Sequence, residues 1–442
     1  MLAKFRSAVS KSRRRQRKLD RRRALHRSLR PEPLEGRLLL SGDSWVVPTE
    51  TPFSGSYTSE VDTDSSGNVY LATSVDGGAA TGADLFLAKY LPSGVEDWSH
   101  SFPVPDNQAV WTATVGSDGF YVTGGFMGTM DFDPTEGEAV LSESAGRYYL
   151  AKYSLAGEFR WVRQFDANMR IQGLAAQDGD VYAVGNSGGT NDPFSIAKVS
   201  GDDGELCWTK TLGTGVPSAL ALYRPDGGPT HIYVAGATYI SRKVPSSGFV
   251  MELSESVDGS DSSIAWDRDL GQDFRNAGSH IAVREEEIGG SLEPRIYVPS
   301  MSTGMLLKLD ALGNTVWLQQ VIHDDLIHFN DVALEGSTVY LAGSFLQSVD
   351  FDPNAADATL ISRGDRDGFI ARYDSQDGHL AVVQRVGGGG FDSLQTLALA
   401  DGWLLASGVA SPPSAAFLAS EKDASGQIQM SAFVPVSPNE LF

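Results

Sequence analysis

The sequence predicts an all-β protein: a seven-bladed β-propeller of four-stranded antiparallel blades, preceded by a disordered basic N-terminal tail. Two observations carry this prediction. A block averaging about 56 residues recurs seven times after residue 59, and each block contains four short strand patterns joined by glycine-rich turns. The composition agrees, since the 442 residues include 48 Gly, 20 Phe, 14 Tyr and 8 Trp. Many turns between aromatic strands are expected of such a chain.

Charge divides the chain into two parts, a basic tail of residues 1–42 and an acidic body of residues 43–442. The tail carries 14 Lys and Arg against three acidic residues, whereas the body has a net charge of −32. A body this acidic repels nucleic acid and anionic lipid, so any contact with either would fall to the tail. The tail lacks the apolar stretch of an ordinary secretory signal. We therefore predict a disordered basic tail followed by one propeller domain.

The end of the tail resembles a known export-associated segment. It is similar to the LEPR-XLL segment found near the start of many large exported proteins of planctomycetes and related bacteria. The positions that match are Leu34, Glu35, Arg37, Leu39 and Leu40. Gly36 stands where that family usually has Pro. The resemblance implies an exported, extracellular or cell-surface protein; the alternative is a basic tail that contacts nucleic acid.

Each predicted blade contains an aromatic residue in its second strand, and this position sets the repeat. The six clear copies are Tyr70, Tyr121, Tyr182, Tyr233, Tyr297 and Tyr340. A degraded seventh copy follows Trp403, with Leu404 at the shared position. We predict repeats at about 59–108, 109–168, 169–215, 216–274, 275–325, 326–390 and 391–442.

A second recurring pattern marks the fourth strand. A turn glycine stands four residues before a large apolar residue, which in four copies is Trp98, Trp161, Trp208 and Trp317. Trp266 fits the same place after an insertion. A single four-stranded sheet leaves both faces wet, whereas radial stacking buries the aromatic residues. We therefore predict that the Tyr and Trp ladders pack between adjacent blades.

These patterns resemble the SBBP family of bacterial β-propeller repeats. The resemblance rests on Gly67-Asn68-Val69-Tyr70, on Ala88-Lys89-Tyr90 and on Ser93-Gly94 before Trp98. It implies the architecture and carries no assigned reaction. For ring closure, two segments are candidates for the last strand: Trp45-Val46-Val47 and the stretch from Met430 to Val434.

Signatures of catalysis are sparse. The sequence has no P-loop, no His-Glu-x-x-His and no Gly-x-Ser-x-Gly motif, so we predict no catalytic or cofactor-binding residues. The lone Cys207 excludes an intramolecular disulfide framework, and its place beside Trp208 predicts a packing role.

Two matched loops are candidate calcium sites. Each has the sequence Asp-Phe-Asp-Pro and begins ten residues after the repeat Tyr; the candidate ligands are Asp131, Asp133, Asp350 and Asp352. Alternate Asp side chains project to one side of an extended segment, which is a partial oxygen set for Ca²⁺. The alternative is an Asx turn, in which Asp accepts hydrogen bonds from its own backbone before a rigid Pro.

A loop between the fifth and sixth repeats is a second candidate for metal binding or proton transfer. It contains His323-Asp324-Asp325, followed by His328 and Asp331. Clustered imidazole and carboxylate groups can bind a transition metal or exchange protons. Polar residues are also ordinary in a solvated connection between blades, and that alternative stays open.

Taken together, the sequence predicts a non-enzymatic binding or scaffold propeller whose partner is an extracellular protein or glycan. Loops on a rigid ring suit recognition. An alternative is a lyase or hydrolase that uses carboxylates at the mouth of the central channel. We expect a monomeric body without a transmembrane segment, because no run approaches 18 apolar residues.

Overall fold

A computed structural model describes most of the chain from Leu38 to Glu421. The ranges described are 38–40, 44–46, 59–76, 83–102, 108–142, 147–165, 169–241, 244–274, 280–352, 358–400, 403–410 and 414–421. This part of the chain is all-β apart from one short 3-10 helix, Gln272–Phe274. None of its helices is long and apolar enough to cross a membrane.

A short hairpin comes first, formed by β1 (Leu38–Leu40) and β2 (Ser44–Val46). Sheet 1 contains β3 (Ser59–Thr63), β4 (Val69–Asp76), β5 (Ala83–Tyr90) and β6 (Glu96–Phe102). Sheet 2 contains β7 (Gln108–Gly116), β8 (Gly119–Phe126), β11 (Tyr148–Tyr153) and β12 (Phe159–Phe165). Its second-to-third connection forms a hairpin of β9 (Thr129–Asp131) and β10 (Val140–Ser142).

Two uninterrupted sheets follow. Sheet 3 contains β13 (Arg170–Gln177), β14 (Asp180–Asn186), β15 (Pro193–Ser200) and β16 (Leu206–Thr214). Sheet 4 contains β17 (Val216–Tyr223), β18 (His231–Ser241), β19 (Val244–Glu255) and β20 (Ser262–Gly271). In both sheets the strands lie side by side in chain order.

Three main sheets and a small side sheet complete the described chain. Sheet 5 contains β21 (Ala282–Ile288), β22 (Ser291–Pro299), β23 (Met305–Leu309) and β24 (Thr315–Gln320). Sheet 6 contains β26 (Ile327–Glu335), β27 (Thr338–Phe345), β30 (Asp367–Asp374) and β31 (Leu380–Val386). A small side sheet beside it contains β25 (Ile322–His323), β28 (Ser348–Asp350) and β29 (Thr359–Ile361). Sheet 7 contains β32 (Ser393–Ala400), β33 (Trp403–Ala410) and β34 (Ser414–Glu421).

The first strands of the seven sheets follow one another around a centre. Each first strand lies beside the first strand of the next sheet, from β3 through β7, β13, β17, β21 and β26 to β32. Strand β32 lies in turn beside β3, so this neighbour relation closes on itself. The first strands of sheets 1 to 7 therefore surround one central channel.

The repeat residues occupy equivalent positions, as the sequence predicts. In sheet 2, Tyr121 is opposite Lys152 on the third strand, and Lys152 is opposite Trp161 on the fourth. The same register recurs in sheets 1, 3 and 5, and in sheet 4 with Glu252 in place of the lysine. The ring centroids of the Tyr–Trp pairs lie 5.9–6.3 Å apart. The Tyr rings are fully or almost fully buried, which confirms that the Tyr ladder is core. Trp161 and Trp208 are buried as well, whereas Trp98, Trp266 and Trp317 are partly buried and pack against the core.

The tryptophans also tie each sheet to the next. The indole N–H of Trp161 donates to the carbonyl of Gly201 in the third-to-fourth turn of sheet 3, at 2.8 Å, and Lys152 Nζ donates to the same oxygen at 2.8 Å. Equivalent indole bonds are Trp98 to Leu155 at 3.2 Å, Trp266 to Ala311 at 3.1 Å and Trp317 to Ser375 at 3.0 Å. The repeat pattern thus encodes contacts between sheets, since the partner of each Trp belongs to the next repeat.

Two details of the sequence prediction are wrong. In sheet 7 the residue equivalent to the repeat Tyr is Leu405, not Leu404. Leu405 and Ala398 form the third residue pair counted from the hairpin turn, and Tyr340 and Ala333 form the third pair of the corresponding hairpin in sheet 6. Cys207 is exposed, not packed, because successive residues of a strand point to opposite faces and the neighbouring Trp208 takes the buried one.

One of the two candidates for ring closure falls partly within the described residues. Strand β2, which contains Trp45 and Val46, lies beside β34 of sheet 7, while its hydrogen-bonded pairing is to β1. The competing segment from Met430 to Val434 lies outside the described residues.

Candidate functional site

A cavity of about 480 Å³ opens in the central channel. It lies where the first strands begin, and its wall includes residues from six first strands and from the segment just before β21. Strands alternate in direction, so the second-to-third connections of each sheet lie at this same end. The β9–β10 hairpin and the side sheet beside sheet 6 are both in connections at this end. We call it the channel face; the opposite end, which holds the first-to-second and third-to-fourth turns, is the turn face.

β-Bulges in the first strands build the cavity wall. The pairing between first and second strands shifts by one residue in five sheets, and the residue that the pairing skips lines the cavity each time. These residues are Trp111, Gln172, Ser218, Asn330 and Gln395. A bulge inserts one residue into a strand and re-aims its side chain, which is common beside binding and active sites. Here it turns one side chain per sheet toward the channel.

One side of the cavity carries a guanidinium on an aromatic ring. The Arg170 guanidinium lies 4.5 Å from the ring centroid of Trp111, and Trp111 packs against Tyr148 at 5.0 Å. The Nε atom of Arg170 and the side-chain oxygen of Gln172 are buried without a hydrogen-bond partner among the described residues. Unpaired buried polar atoms are uncommon and call for an explanation such as a ligand or ordered water.

A second guanidinium lines the cavity from sheet 6. Arg366 lies 5.4 Å from the ring centroid of Phe391, and its Nη1 donates to Nδ1 of His328 at 3.3 Å. Burial and the positive charge of Arg366 lower the pKa of His328. A neutral His328 can accept this hydrogen bond, so it positions Arg366 without adding a second cation.

An acid–base cluster occupies another part of the wall. His280 Nε2 lies 3.9 Å from Glu60 Oε2, and its Nδ1 lies 3.4 Å from Asp331 Oδ1 and 2.9 Å from the carbonyl of Asn330. Burial raises the pKa of Glu60 to about 8, an effect that the charge of His280 opposes and that Asp331 and Asp62 reinforce. At neutral pH the carboxyl of Glu60 is therefore mostly protonated.

The partners of Glu60 are held by backbone hydrogen bonds. Burial raises the pKa of Asp331, although this carboxylate accepts bonds from the N–H groups of Val332 at 2.6 Å and Leu397 at 2.5 Å. Burial lowers the pKa of His280, but the negative charges of Asp331 and Glu60 raise it and outweigh this effect. The pKa of His280 therefore lies above its ordinary value. These contacts join sheets 1, 5, 6 and 7, and they make Glu60 a proton donor at the channel.

The two Asp-Phe-Asp-Pro loops lie in second-to-third connections, as predicted, and form Asx turns. Asp131 accepts hydrogen bonds from the N–H groups of Asp133 at 3.1 Å and Ala139 at 2.8 Å. Asp350 accepts one from the N–H of Asp352 at 3.1 Å. No group of three His, Cys, Asp or Glu that could hold a metal occurs in the part of the chain described. Calcium binding by these four Asp stays a prediction.

Their phenylalanines explain why the loops are alike. Phe132 is fully buried and packs 4.7 Å from Tyr149; Phe351 is fully buried and packs 4.7 Å from Phe369. Both loops therefore anchor a long connection to its own sheet. Shared packing accounts for the shared sequence.

The structure separates the residues of the His323 loop. His323 bonds to the carbonyl of Asp325 at 2.6 Å, whereas His328 contacts Arg366 and Asp331 contacts His280. His328 and Asp331 thus lie at the channel, but their partners are not the other residues of the predicted cluster. Sequence reasoning missed Glu60, Trp111 and Arg170.

A signal for the channel residues was present in the repeat. Glu60, Trp111, Gln172 and Asn330 each stand ten residues before the repeat Tyr, and Gln395 stands ten residues before Leu405. The residue types at this position differ, so the position does not appear as a motif. It becomes recognisable only when the repeats are aligned and the channel-facing strand is known.

Comparisons with known proteins show similarity of structure. No protein-family model and no curated protein sequence matches the chain. The chain is similar to Sqt1 of Saccharomyces cerevisiae, with 9% identity and a TM-score of 0.50 over 85% of this chain and 84% of that one. It is also similar to the WD40 β-propeller domain of Doa1, with 10% identity and a TM-score of 0.48 over 86% and 99% of the two chains.

A third similar structure is the quinohemoprotein alcohol dehydrogenase of Comamonas testosteroni, with 11% identity and a TM-score of 0.44 over 87% and 78% of the chains. At these identities a likeness concerns the fold alone. Sqt1 and Doa1 are WD40/β-propeller proteins, and the described chain is all-β with four-stranded antiparallel sheets.

Proposed function

We propose that this chain is a non-enzymatic, exported or cell-surface β-propeller of seven blades that binds a protein or glycan at its channel face. Six four-stranded sheets and the three-stranded sheet 7, all within the described residues, support the blade count, as does the closed cycle of their first strands. Residues 422–442, which contain one of the two predicted candidates for the closing strand, lie outside the described residues.

The observation that carries the binding proposal is the channel cavity. Five sheets direct a bulge residue into one space of about 480 Å³, a volume within the range of about 300–1,000 Å³ of small-ligand sites. The wall combines aromatic, guanidinium, amide and hydroxyl groups, and two of its polar atoms lack a partner among the described residues. A rigid ring holds these groups in place, which reduces the entropy lost when a ligand binds.

The test compares the two faces of the ring. The full-length labelled chain is applied to glycan arrays and to arrays of extracellular-protein peptides, together with the variants Trp111→Ala on the channel face and Leu312→Ala on the turn face. Leu312 is a suitable control because it is a large apolar residue with 75% of its surface exposed.

We expect specific signals that Leu312→Ala retains and Trp111→Ala loses, with unchanged thermal unfolding of both variants. Signals that the two variants keep or lose equally would contradict a channel-face site. No specific signal on either array would contradict the proposed function itself.

A second candidate function is catalysis at the channel, and the pair of Glu60 and His280 is the observation that favours it. A carboxyl with a pKa of about 8 next to an imidazole is a plausible donor and acceptor of protons. A lyase or hydrolase would cleave an array ligand that the wild type binds, whereas a binding module releases it intact. Mass spectrometry of the ligand after incubation, with Glu60→Gln as the inactive control, separates the two.

Export is a separate part of the proposal and rests on the segment from Leu34 to Leu40. Cell fractionation of the native host tests it: full-length protein retained in the cytoplasm would count against export, whatever the outcome of the binding assays.

A further inference from the structure

The charge of the cavity wall is opposite to that of the acidic body. The body carries a net charge of −32, yet the wall contains the two guanidiniums of Arg170 and Arg366 and a single carboxyl, Glu60, among its described residues. Burial raises the pKa of Glu60 to about 8, so this carboxyl adds little negative charge at neutral pH. The wall therefore has a positive balance in the channel of an acidic protein.

Both arginines keep their charge available to a ligand. Neither Arg170 nor Arg366 forms an ion pair with a carboxylate within the described part of the chain. By contrast, Arg385 of sheet 6 pairs with the buried Asp367 at 2.9 Å. A guanidinium stacked on an aromatic ring is held in place while its N–H groups at the edge stay available for hydrogen bonds. An acidic protein has many carboxylates with which to neutralise a cation, so two unpaired arginines at one cavity point to an external anion.

The remaining wall suits a ligand with several hydroxyl groups. Gln172, Ser218, Asn330 and Gln395 add amide and hydroxyl side chains to the wall. The volume of about 480 Å³ admits one or two sugar rings and is too small for a folded protein loop with its flanking chain.

We propose that the channel cavity binds a uronic acid residue of a glycan, with the guanidiniums of Arg170 and Arg366 supplying the positive charge that attracts its carboxylate. This inference rests on the proposed function and adds the class of ligand. Planar guanidiniums form paired, charge-assisted hydrogen bonds with carboxylates. The amides and hydroxyls from the bulges bind the ring hydroxyls, and Trp111 and Phe391 limit the space beside the sugar.

The experiment uses two sugars that differ in one group. Methyl β-D-glucuronide carries a carboxylate where methyl β-D-glucoside carries a hydroxymethyl group. Their affinities for the full-length chain are measured by isothermal titration calorimetry at pH 6.5. An acetylated di-glutamate peptide provides a carboxylate without a sugar ring, and free glucuronic acid shows whether the glycosidic linkage matters.

We expect the glucuronide to bind at least about tenfold more tightly than the glucoside, because each charge-assisted bond discriminates by roughly that factor or more. Arg170→Gln and Arg366→Gln should each lower glucuronide affinity by about tenfold or more. The control Arg160→Gln removes the same charge from an exposed side chain of β12 and should leave affinity unchanged. Thermal unfolding of every variant confirms folding.

A measurement on the wild type avoids dependence on the variants. Added NaCl should weaken glucuronide binding and leave glucoside binding unaffected, because only the former involves a charge pair. Equal affinity for the two sugars, or salt-independent glucuronide binding, would overturn the proposal. Tight binding of the di-glutamate peptide alone would replace the glycan by an acidic protein segment.

The outcome also separates this inference from the function on which it depends. If channel-face binding appears on the arrays but only with neutral glycans or peptides, the uronic acid is wrong and the binding module stands. If neither the arrays nor the sugars show binding, both fail.

Discussion

Replacing Gly204 by Ala tests whether the recurring turn glycine is an inter-sheet packing position. Gly204 has φ +73°, and a Cβ atom built there would lie 2.8 Å from the ring of Trp161 in the preceding sheet. A non-glycine residue at such a φ costs about 1–2 kcal/mol. Forcing a carbon against a buried indole adds about 1–3 kcal/mol, the usual cost of overpacking. We expect Gly204→Ala to lower the free energy of unfolding by about 2–5 kcal/mol.

Gly227 provides a matched control. Its φ is +67°, and a Cβ atom built there meets nothing within 4 Å. Gly227→Ala therefore has the same conformational cost of about 1–2 kcal/mol without the clash. The effect of Ala on the unfolded chain is the same in both variants and cancels in their difference.

Urea unfolding followed by tryptophan fluorescence measures the two variants. The difference between them should be about 1–3 kcal/mol. Most of it should disappear when both are made in a Trp161→Ala background, because the two shortest contacts of the new methyl group are to the indole and the third is to Nε of Arg163 at 3.0 Å. Equal destabilisation by the two glycine replacements in the parent chain would refute this reasoning and leave Gly204 as a turn former only.

Three further predictions concern Glu60 and the Asp loops. The pKa of Glu60 is about 8 in the folded chain and 4.5 in the unfolded chain, so the stability that this group contributes is full below pH 4.5 and is lost as the pH rises to 8. In wild type, the free energy of unfolding in urea should therefore decline over this range by at most about 5 kcal/mol, and Glu60→Gln should remove this decline. A decline that is unchanged in the variant would contradict the protonated carboxyl flanked by His280, Asp331 and Asp62. Glucuronide affinity should fall above pH 8 in the wild type, as ionised Glu60 repels the ligand, and calorimetry with Glu60→Gln should show no such fall. Millimolar Ca²⁺ should raise the unfolding temperature beyond Na⁺ at matched ionic strength if either Asp-Phe-Asp-Pro loop binds calcium, and Asp→Asn replacement of both carboxylates in each loop should abolish that gain; a gain that survives both pairs rules out the loops as calcium sites.

The architecture of the sheets can be predicted from the sequence, because the contacts between them are periodic. A second-strand Tyr and a fourth-strand Trp recur in register, and both pack where one sheet meets the next, as Tyr121 and Trp161 do. The predicted position is wrong by one residue in the degraded seventh copy, where Leu405 and not Leu404 is equivalent to the repeat Tyr. No aromatic residue identifies the shared position in that copy. Cys207 was misplaced for a similar reason: adjacent strand residues face opposite sides, and proximity in sequence to Trp208 is not proximity in space.

The position of the candidate site depends on contacts between distant parts of the sequence. Glu60 and His280 are 220 positions apart in the sequence, and they come into contact because the first strand of sheet 1 and the segment before the first strand of sheet 5 both line the channel. The bulges that aim Trp111 and Gln172 into the cavity are shifts in strand pairing, which residue types do not encode. The packing between sheets repeats, so the contacts of one repeat predict those of the others. The channel wall instead combines different side chains from different sheets, and these come together only when the sheets surround a common centre.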